Sequence, residues 1–181
     1  MALLVTGSIG IDTVEAPWGR IEDALGGSCV YFAQAASYFA PVRLVGAVGG
    51  DCPAGFLRPL EENGNIDLTG LHTRPESKTF RWHGKYQEDV NFRDTVEVDL
   101  GVLGEAAPPI PPAYQDSRWV FLANTHPALQ AELLGQLDGP ELVVADTMDL
   151  WIENERDALN HLIGRLDGLV LNDSEARQMT G

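Results

Sequence analysis

The stretch Gly26–Asp51, GGSCVYFAQAASYFAPVRLVGAVGGD, contains a predicted helix followed by a predicted strand, which is the repeating unit of an α/β fold. From Ser28 to Phe39, small and aromatic residues recur at helical spacing, and Pro41 ends the predicted helix. Val42–Val48 is a short apolar run rich in β-branched residues, which predicts a buried strand. A helix that leads directly into a buried strand is typical of parallel sheets covered by helices.

The same alternation continues on both sides of this stretch. Ala2–Thr6 predicts a buried strand before it. Beyond the proline-rich connector Ala106–Pro112, strands and helices are predicted in turn at Arg118–Ala123, Pro127–Leu137, Glu141–Asp146, Glu153–Ile163, Gly168–Leu171 and Ser174–Thr180. A further helix is predicted after Gly50, with Asp51 as its N-cap, Pro53 in its first turn and Gly64 at its end.

Two segments break this pattern. Gly10–Ile21 alternates loosely and carries Pro17 and Gly19, as a hairpin does. Ile66 to about Glu97 alternates with period two between polar turns, which predicts antiparallel strands inserted between two parallel units. The predicted fold class is therefore α/β: a doubly wound, mostly parallel sheet with helices on both faces, plus a small antiparallel lid.

Composition narrows the classes of function. The chain has 181 residues and a formal net charge of −15, which disfavours binding to nucleic acid. Its apolar runs are too short for a transmembrane helix, so no membrane partner is expected. The N-terminal MALLVTGSIG predicts a strand and not a signal peptide, and the cysteines Cys29 and Cys52 show no metal-ligand spacing. These features predict a cytoplasmic protein.

Positive charge is sparse but clustered. Five of the twelve lysines and arginines lie within a window of about twenty residues: Arg74, Lys78, Arg81, Lys85 and Arg93. The window is either a solvated hairpin or an electropositive flap over an anionic or polyhydroxylated ligand.

Ligands of such sheets bind beyond the carboxyl ends of the strands, so residues that follow strands are the candidates for a site. Asp12, after Gly7–Gly10, either accepts hydrogen bonds from vicinal hydroxyls or caps a turn. Gly26 and Gly27 either bring backbone amides to a ligand at a helix N-terminus or form a plain turn, with Ser28 as N-cap. Asn172 and Glu175 have the spacing of a capping box, and Glu175 is also placed to organise hydrated Mg²⁺ near phosphates.

Taken in order, the segments GSIGID, GGSCVYFAQAA, VRLVGAVGGD, the antiparallel insertion and LNDSEARQMTG resemble the N-terminal part of the phosphofructokinase-B carbohydrate kinases, also called the ribokinase-like family. The resemblance covers residues 1–181, as an incomplete ribokinase-like domain with lid segments at about 10–24 and 68–98. It implies an ATP-dependent sugar kinase that uses Mg²⁺, or a nucleoside kinase of the same family. It also implies a possible homodimer through the lid.

The resemblance assigns roles to particular residues. It implies that Asp12 binds sugar hydroxyls, that Gly26 and Gly27 bring backbone against the sugar, and that Asn172 and Glu175 lie near the metal and phosphate. Further substrate contacts are predicted from the local pattern alone and match no fixed family motif: Phe80, Trp82, Asn91 and Arg93. Trp82 is alternatively a packing residue of the lid.

The family's catalytic motif, a DTxGAGD-type sequence whose last aspartate is the base, has no counterpart in this sequence. The DT pairs at Asp94-Thr95 and Asp146-Thr147 lack the glycine-rich turn. We therefore expect no catalytic residue in this chain, which would represent the acceptor-binding part of a kinase and be inactive alone. The alternative is a non-catalytic sugar-binding or dimerising module.

Overall fold

A parallel sheet forms the centre of the molecule in the computed structural model, which describes residues 2–181. The strands run in the order β10-β9-β8-β1-β4-β5, and every neighbouring pair is parallel. Their bounds are β1 Leu3–Thr6, β4 Val42–Gly49, β5 Ile66–Arg74, β8 Trp119–Leu122, β9 Leu142–Asp146 and β10 Gly168–Val170. The predicted α/β class is confirmed.

Helices cover both faces of this sheet. They are α1 Ser28–Ala36, α2 Arg58–Glu61, α3 Pro127–Leu134, α4 Asp149–Asn154, α5 Arg156–Ile163 and α6 Asp173–Thr180. Successive residues of a strand point to opposite faces, and the core divides accordingly. Val5 packs with the α1 side of the molecule, whereas its neighbour Leu4 packs with α3 and α5.

The lid is a second sheet of four strands in the order β3-β2-β6-β7. Its strands are β2 Gly10–Ala16, β3 Gly19–Gly26, β6 Phe80–Tyr86 and β7 Arg93–Asp99. The two hairpins are antiparallel, but β2 and β6 pair in parallel, so the lid is mixed and not antiparallel throughout.

The predicted start of the second lid segment at residue 68 is too early. Strand β5 pairs in parallel with β4 along the edge of the central sheet, and the chain enters the lid only at Phe80. The period-two pattern of β5 is that of an edge strand with one buried face, which resembles a lid strand in sequence.

Asp51 does not cap a helix as predicted. Its Oδ1 accepts a hydrogen bond from the Thr79 amide at 2.6 Å, and the Thr79 hydroxyl accepts one from the Gly49 amide at 3.0 Å. The helix begins later, at Arg58, and the intervening residues form turns. Asp51 therefore fastens the start of β6 to the end of β4.

Across residues 2–181, none of the helices is long and apolar enough to cross a membrane. Cys29, on α1, lies in the core, where burial raises the pKa of its thiol to about 12, and Cys52 is half-buried.

Candidate functional site

A cleft lies between the lid and the carboxyl edge of the central sheet. Its first part has a volume of about 300 Å³ and is lined by Asp12, Trp82 and Arg93 from the lid and by Ser8, Gly27 and Asn124 from the loops beside the sheet. A second part of about 190 Å³ shares Ser8, Phe80, Trp82, Asn124 and Met148 with the first. Parallel α/β sheets bind ligands at this edge, so the cleft is the candidate site.

Asp12 is the buried carboxylate of this cleft. It lies on β2 with 8% of its surface exposed, and its Oδ1 has no hydrogen-bond partner among the described residues. Burial raises the pKa of Asp12 from 3.8 to about 6. A buried carboxylate without a partner costs free energy, and a ligand hydroxyl would satisfy it.

The two glycines that precede α1 have different roles. Gly26 lies against Asp12, and a β-carbon there would overlap the carboxylate. Gly27 has φ +106° and lines the cleft, and a β-carbon there would overlap the Ser8 carbonyl. The glycines therefore allow the closely packed arrangement of β2, β3 and the β1–β2 loop around Asp12.

Ser8 is a site residue that the sequence did not predict. Its Oγ accepts the Ser28 amide at 2.9 Å and lies 3.0 Å from the Ser28 hydroxyl, and its carbonyl accepts the Cys29 amide at 3.2 Å. The amides of Ser28 and Cys29 are thus occupied within the protein and do not face a ligand. The predicted N-cap at Ser28 is also wrong, because the helix is capped by Gly27 and supported by Ser8 from a distant loop.

Trp82 is held in place on the cleft side of the lid. Its ring Nε1 donates to the Thr95 hydroxyl at 3.2 Å, and its six-membered ring lies over Gly84, where a β-carbon would overlap it. Tyr86 makes an edge contact with the indole, with ring centroids 6.4 Å apart. Trp82 also lines both parts of the cleft. The same side chain therefore packs within the lid and is accessible from the cleft.

The other residues predicted from the local pattern are not all in the cleft. Phe80 and Arg93 line it. Asn91 lies in the turn between β6 and β7, where its side-chain amide donates to Asp89 Oδ1 at 2.8 Å, and it is not among the cleft residues. No sequence rule separates a turn asparagine from a ligand-binding one, since both are exposed and polar.

The basic cluster does not form one surface. Arg74 pairs with Glu105 at 2.8 Å beside the central sheet. Arg81 lies near Asp23 and Asp51, at 3.4 and 3.5 Å, and lines a hollow with Thr13 on the other side of the lid. Only Arg93 of this group lines the cleft, so the prediction of an electropositive flap holds for a single residue.

Asn172 and Glu175 form the predicted capping box at the start of α6. Asn172 Oδ1 accepts the Glu175 amide at 2.8 Å, and Glu175 Oε2 accepts the Asn172 amide at 2.9 Å. Glu175 is 7% exposed. One of its carboxylate oxygens therefore serves the helix, and the other is left for a second interaction.

Asp146 is a second carboxyl group at this edge, and sequence reasoning missed it as a site residue. It ends β9, and its Oδ1 is buried without a hydrogen-bond partner in the described part of the chain. Burial and, to a smaller extent, the charge of Glu175 raise the pKa of Asp146 from 3.8 to about 7. The signal was available, because Asp146 is the last residue of a predicted strand, at the edge where the candidates for a site were sought.

Buried polar atoms without partners concentrate at this edge of the sheet. In residues 2–181 they belong to Thr6, Asp12, Thr125, Gln130, Asp146 and Thr147. Thr6 ends β1 and Asp146 ends β9. Thr125 lies shortly after the end of β8, and Thr147 directly follows β9. Buried unsatisfied groups are rare in native proteins, and a water molecule, an ion or a ligand commonly satisfies them.

Solved structures of kinases superpose on the chain. The nucleoside kinase of Methanocaldococcus jannaschii, an archaeal member of the ribokinase family, matches with a TM-score of 0.76 at 19% identity, over 99% of this chain and 63% of the other. The nucleoside kinase of Burkholderia thailandensis in complex with inosine matches with a TM-score of 0.76 at 16% identity, over 98% and 62%. The ribokinase of Cryptococcus neoformans in complex with ADP matches with a TM-score of 0.73 at 20% identity, over 98% and 60%.

These similarities establish the fold. The chain has the ribokinase-like α/β fold with its small accessory sheet, as the resemblance in sequence implied. It spans about three fifths of the length of the kinases that it matches. No protein-family model and no curated protein sequence matches it.

Proposed function

We propose that this chain is the acceptor-binding part of an ATP-dependent kinase that phosphorylates a hydroxyl of a sugar or nucleoside. The observation that carries the proposal is the position of Asp12, a buried and unpartnered carboxylate facing a cleft at the carboxyl edge of a ribokinase-like sheet. The kinases of the same fold include proteins with inosine or ADP bound, which supports this class of substrates.

Asp12 would orient the acceptor. An ionised carboxylate accepts hydrogen bonds from two neighbouring hydroxyls, which fixes a sugar ring more firmly than a single neutral contact. Gly26 and Gly27 keep side chains out of the space beside it. Positioning of this kind accounts for much of the catalysis of phosphoryl transfer.

Asp146 and Glu175 fit a role beside Mg²⁺. Magnesium is usually held by one or two carboxylates together with waters and substrate phosphates. The buried free oxygen of Asp146 and the second oxygen of Glu175 supply such a pair. Among residues 2–181 no cluster of three or more metal-ligating side chains occurs, which agrees with a cation shared with the nucleotide and not with a closed protein site. When bound, the cation would neutralise charge on the transferred phosphoryl group.

The test is a phosphorylation assay on the protein expressed from its complete reading frame. ATP-dependent product is measured with a panel of sugars and nucleosides, for the natural protein and for Asp12→Ala. We expect product with at least one acceptor and a large loss of acceptor affinity in Asp12→Ala, with ATP binding retained. Glu22→Ala is the matched control, because Glu22 is an exposed lid carboxylate whose partner is Arg20. The absence of product from folded protein with every acceptor counts against the proposal.

A non-catalytic binding module is the second candidate. The cleft and its buried Asp12 would hold a sugar hydroxyl whether or not a catalytic base is present. Such a module binds an acceptor in calorimetry but forms no phosphorylated product at any ATP or Mg²⁺ concentration.

Association of two copies through the lid is a further part of the proposal. Several large apolar side chains of the lid are exposed, among them Trp18, Ile21, Val90 and Phe92. Apolar patches of this kind commonly mark interfaces. Sedimentation analysis of the natural protein and of Ile21→Lys would detect the association, and a monomer at all concentrations would refute it.

A further inference from the structure

The cleft has two chemically different halves. The half around Asp12, called here the polar half, combines the polar groups of Ser8, Ser28, Asn124 and Arg93 with aromatic walls from Tyr31 and Tyr86. The other half is apolar, and its walls include Val98, Leu100, Leu103, Leu150 and Trp151. This difference bears on which acceptor the proposed kinase takes.

A bare monosaccharide matches only the polar half. Its ring carries hydroxyl groups on most of its carbons, and each hydroxyl buried against Leu103 or Leu150 would lose hydrogen bonds with water. The apolar half would then hold water against exposed aliphatic surface, at a cost in free energy. The complementary ligand carries hydroxyls at one end and a flat apolar group at the other.

Trp82 lines both halves of the cleft, and the orientation of its ring suits stacking against a planar group of a ligand. It is the register neighbour of Asp12 on β2 and of Val98 on β7. Its orientation is fixed before any ligand binds, by the hydrogen bond to Thr95 and the contact with Gly84. A fixed aromatic face loses little conformational entropy when a planar ring stacks on it.

We infer that the acceptor is a nucleoside, with its ribose hydroxyls at Asp12 and its base in the apolar half between Trp82 and the Leu103–Leu150 side. This inference rests on the proposed function and selects one of its two substrate classes. Stacking of bases on aromatic side chains tolerates any base, so the lining defines the class of nucleosides and not one member.

The test compares acceptors that differ only in the base. Binding of adenosine, cytidine, methyl β-D-riboside and D-ribose to the protein from its complete reading frame is measured by calorimetry. We expect the nucleosides to bind at least about tenfold more tightly than methyl β-D-riboside, the range expected for one stacked base. Equal affinity for methyl β-D-riboside and the nucleosides would overturn the inference.

Two variants on one strand locate the base. Val98 lines the apolar half, whereas Val96 on the same strand is exposed and lines neither half. Val98→Lys should weaken nucleoside binding about tenfold and leave methyl β-D-riboside binding unchanged, while Val96→Lys changes neither. Equal effects of the two variants on nucleoside affinity would also overturn the inference. Both side chains are largely exposed, so folding is retained, and circular dichroism verifies this.

Failure of the inference is distinguishable from failure of the proposed function. Tight, Val98-dependent nucleoside binding without phosphorylated product supports the nucleoside assignment and refutes the kinase. Phosphorylation of methyl β-D-riboside as efficiently as of nucleosides supports the kinase and refutes the assignment.

Discussion

Asp12 and Trp82 lie side by side as register partners on the parallel strands β2 and β6, and both face the cleft. A carboxylate and a fixed indole in this arrangement present a hydrogen-bonding edge and a flat apolar surface to one ligand. The pairing holds their spacing rigidly, because each strand is also bonded to the other strand of its own hairpin.

Gly26→Ala should impair acceptor binding through Asp12. The new β-carbon would overlap the Asp12 carboxylate, which must rotate or shift to make room. We expect acceptor affinity to fall at least about tenfold, the usual cost of a displaced charged hydrogen bond. Calorimetry measures the change. Gly19→Ala is the control, because a β-carbon at Gly19 has no neighbour within 4 Å, and it should bind as the natural protein does.

Acceptor binding should strengthen as the pH rises through about 6. Burial raises the pKa of Asp12 to about 6, and the ionised form is the better acceptor for sugar hydroxyls. Burial and the charge of Asp12 raise the pKa of the nearby Tyr31 hydroxyl, so Tyr31 does not titrate in this range. Affinity measured from pH 5 to 8 should therefore increase and then level off. An acceptor affinity that does not change between pH 5 and 8 would show that Asp12 does not contact the acceptor.

Asp12→Asn should stabilise the fold at neutral pH while it weakens binding. Because the pKa of Asp12 is raised on folding, the folded protein retains a proton that the unfolded chain loses above 3.8. The free energy of unfolding therefore falls as the pH rises towards and through 6. We expect Asp12→Asn to raise it by about 1–2 kcal/mol at pH 7 and to have little effect at pH 4. Urea unfolding at both pH values measures this, and equal changes at pH 4 and 7 would contradict it.

Gly84→Ala should displace Trp82 without a general loss of structure. A β-carbon at Gly84 would overlap the six-membered ring of the indole. We expect a changed tryptophan signal in near-ultraviolet circular dichroism and a loss of nucleoside affinity of about tenfold. Gly64→Ala serves as the control, since nothing lies within 4 Å of a β-carbon there. An unchanged signal in Gly84→Ala would show that the indole orientation does not depend on this contact.

Glu175→Gln separates the capping role of Glu175 from a role beside the cation. Glutamine at this position preserves a capping box, so the free energy of unfolding should change by less than about 0.5 kcal/mol. The loss of charge should raise the Mg²⁺ concentration required for turnover about tenfold. Asn172→Ala, in contrast, removes the cap and should cost about 1 kcal/mol of stability. Unchanged Mg²⁺ dependence in Glu175→Gln would confine Glu175 to its structural role.

The sequence predicted the central sheet well because its strands and helices have strong local signals. Runs such as Val42–Val48 and the glycines at Gly26 and Gly27 lie where their patterns indicated. The capping box of Asn172 and Glu175 was also visible, since both partners are local in sequence.

The features that escaped prediction depend on contacts between distant segments. Ser8 accepts a hydrogen bond from the first residue of α1, although the two are far apart in the sequence. Asp51 accepts a hydrogen bond from Thr79 instead of capping a helix. Strand β5 belongs to the central sheet because it pairs with β4, which an alternating pattern alone does not reveal. Spacing rules describe neighbours along the chain, whereas these residues find partners only in the folded state.

The parallel pairing of β2 with β6 also has a consequence for the order of folding. Gly10 lies opposite Phe80, so this ladder forms only after a long loop has closed, with β3, α1, β4, α2 and β5 inside that loop. Loop closure costs less once the enclosed segments are compact, so the central sheet should assemble before the two hairpins meet. The cleft is then a late product of folding, and a nascent chain would acquire it only after Met148, which also lines it, has been synthesised.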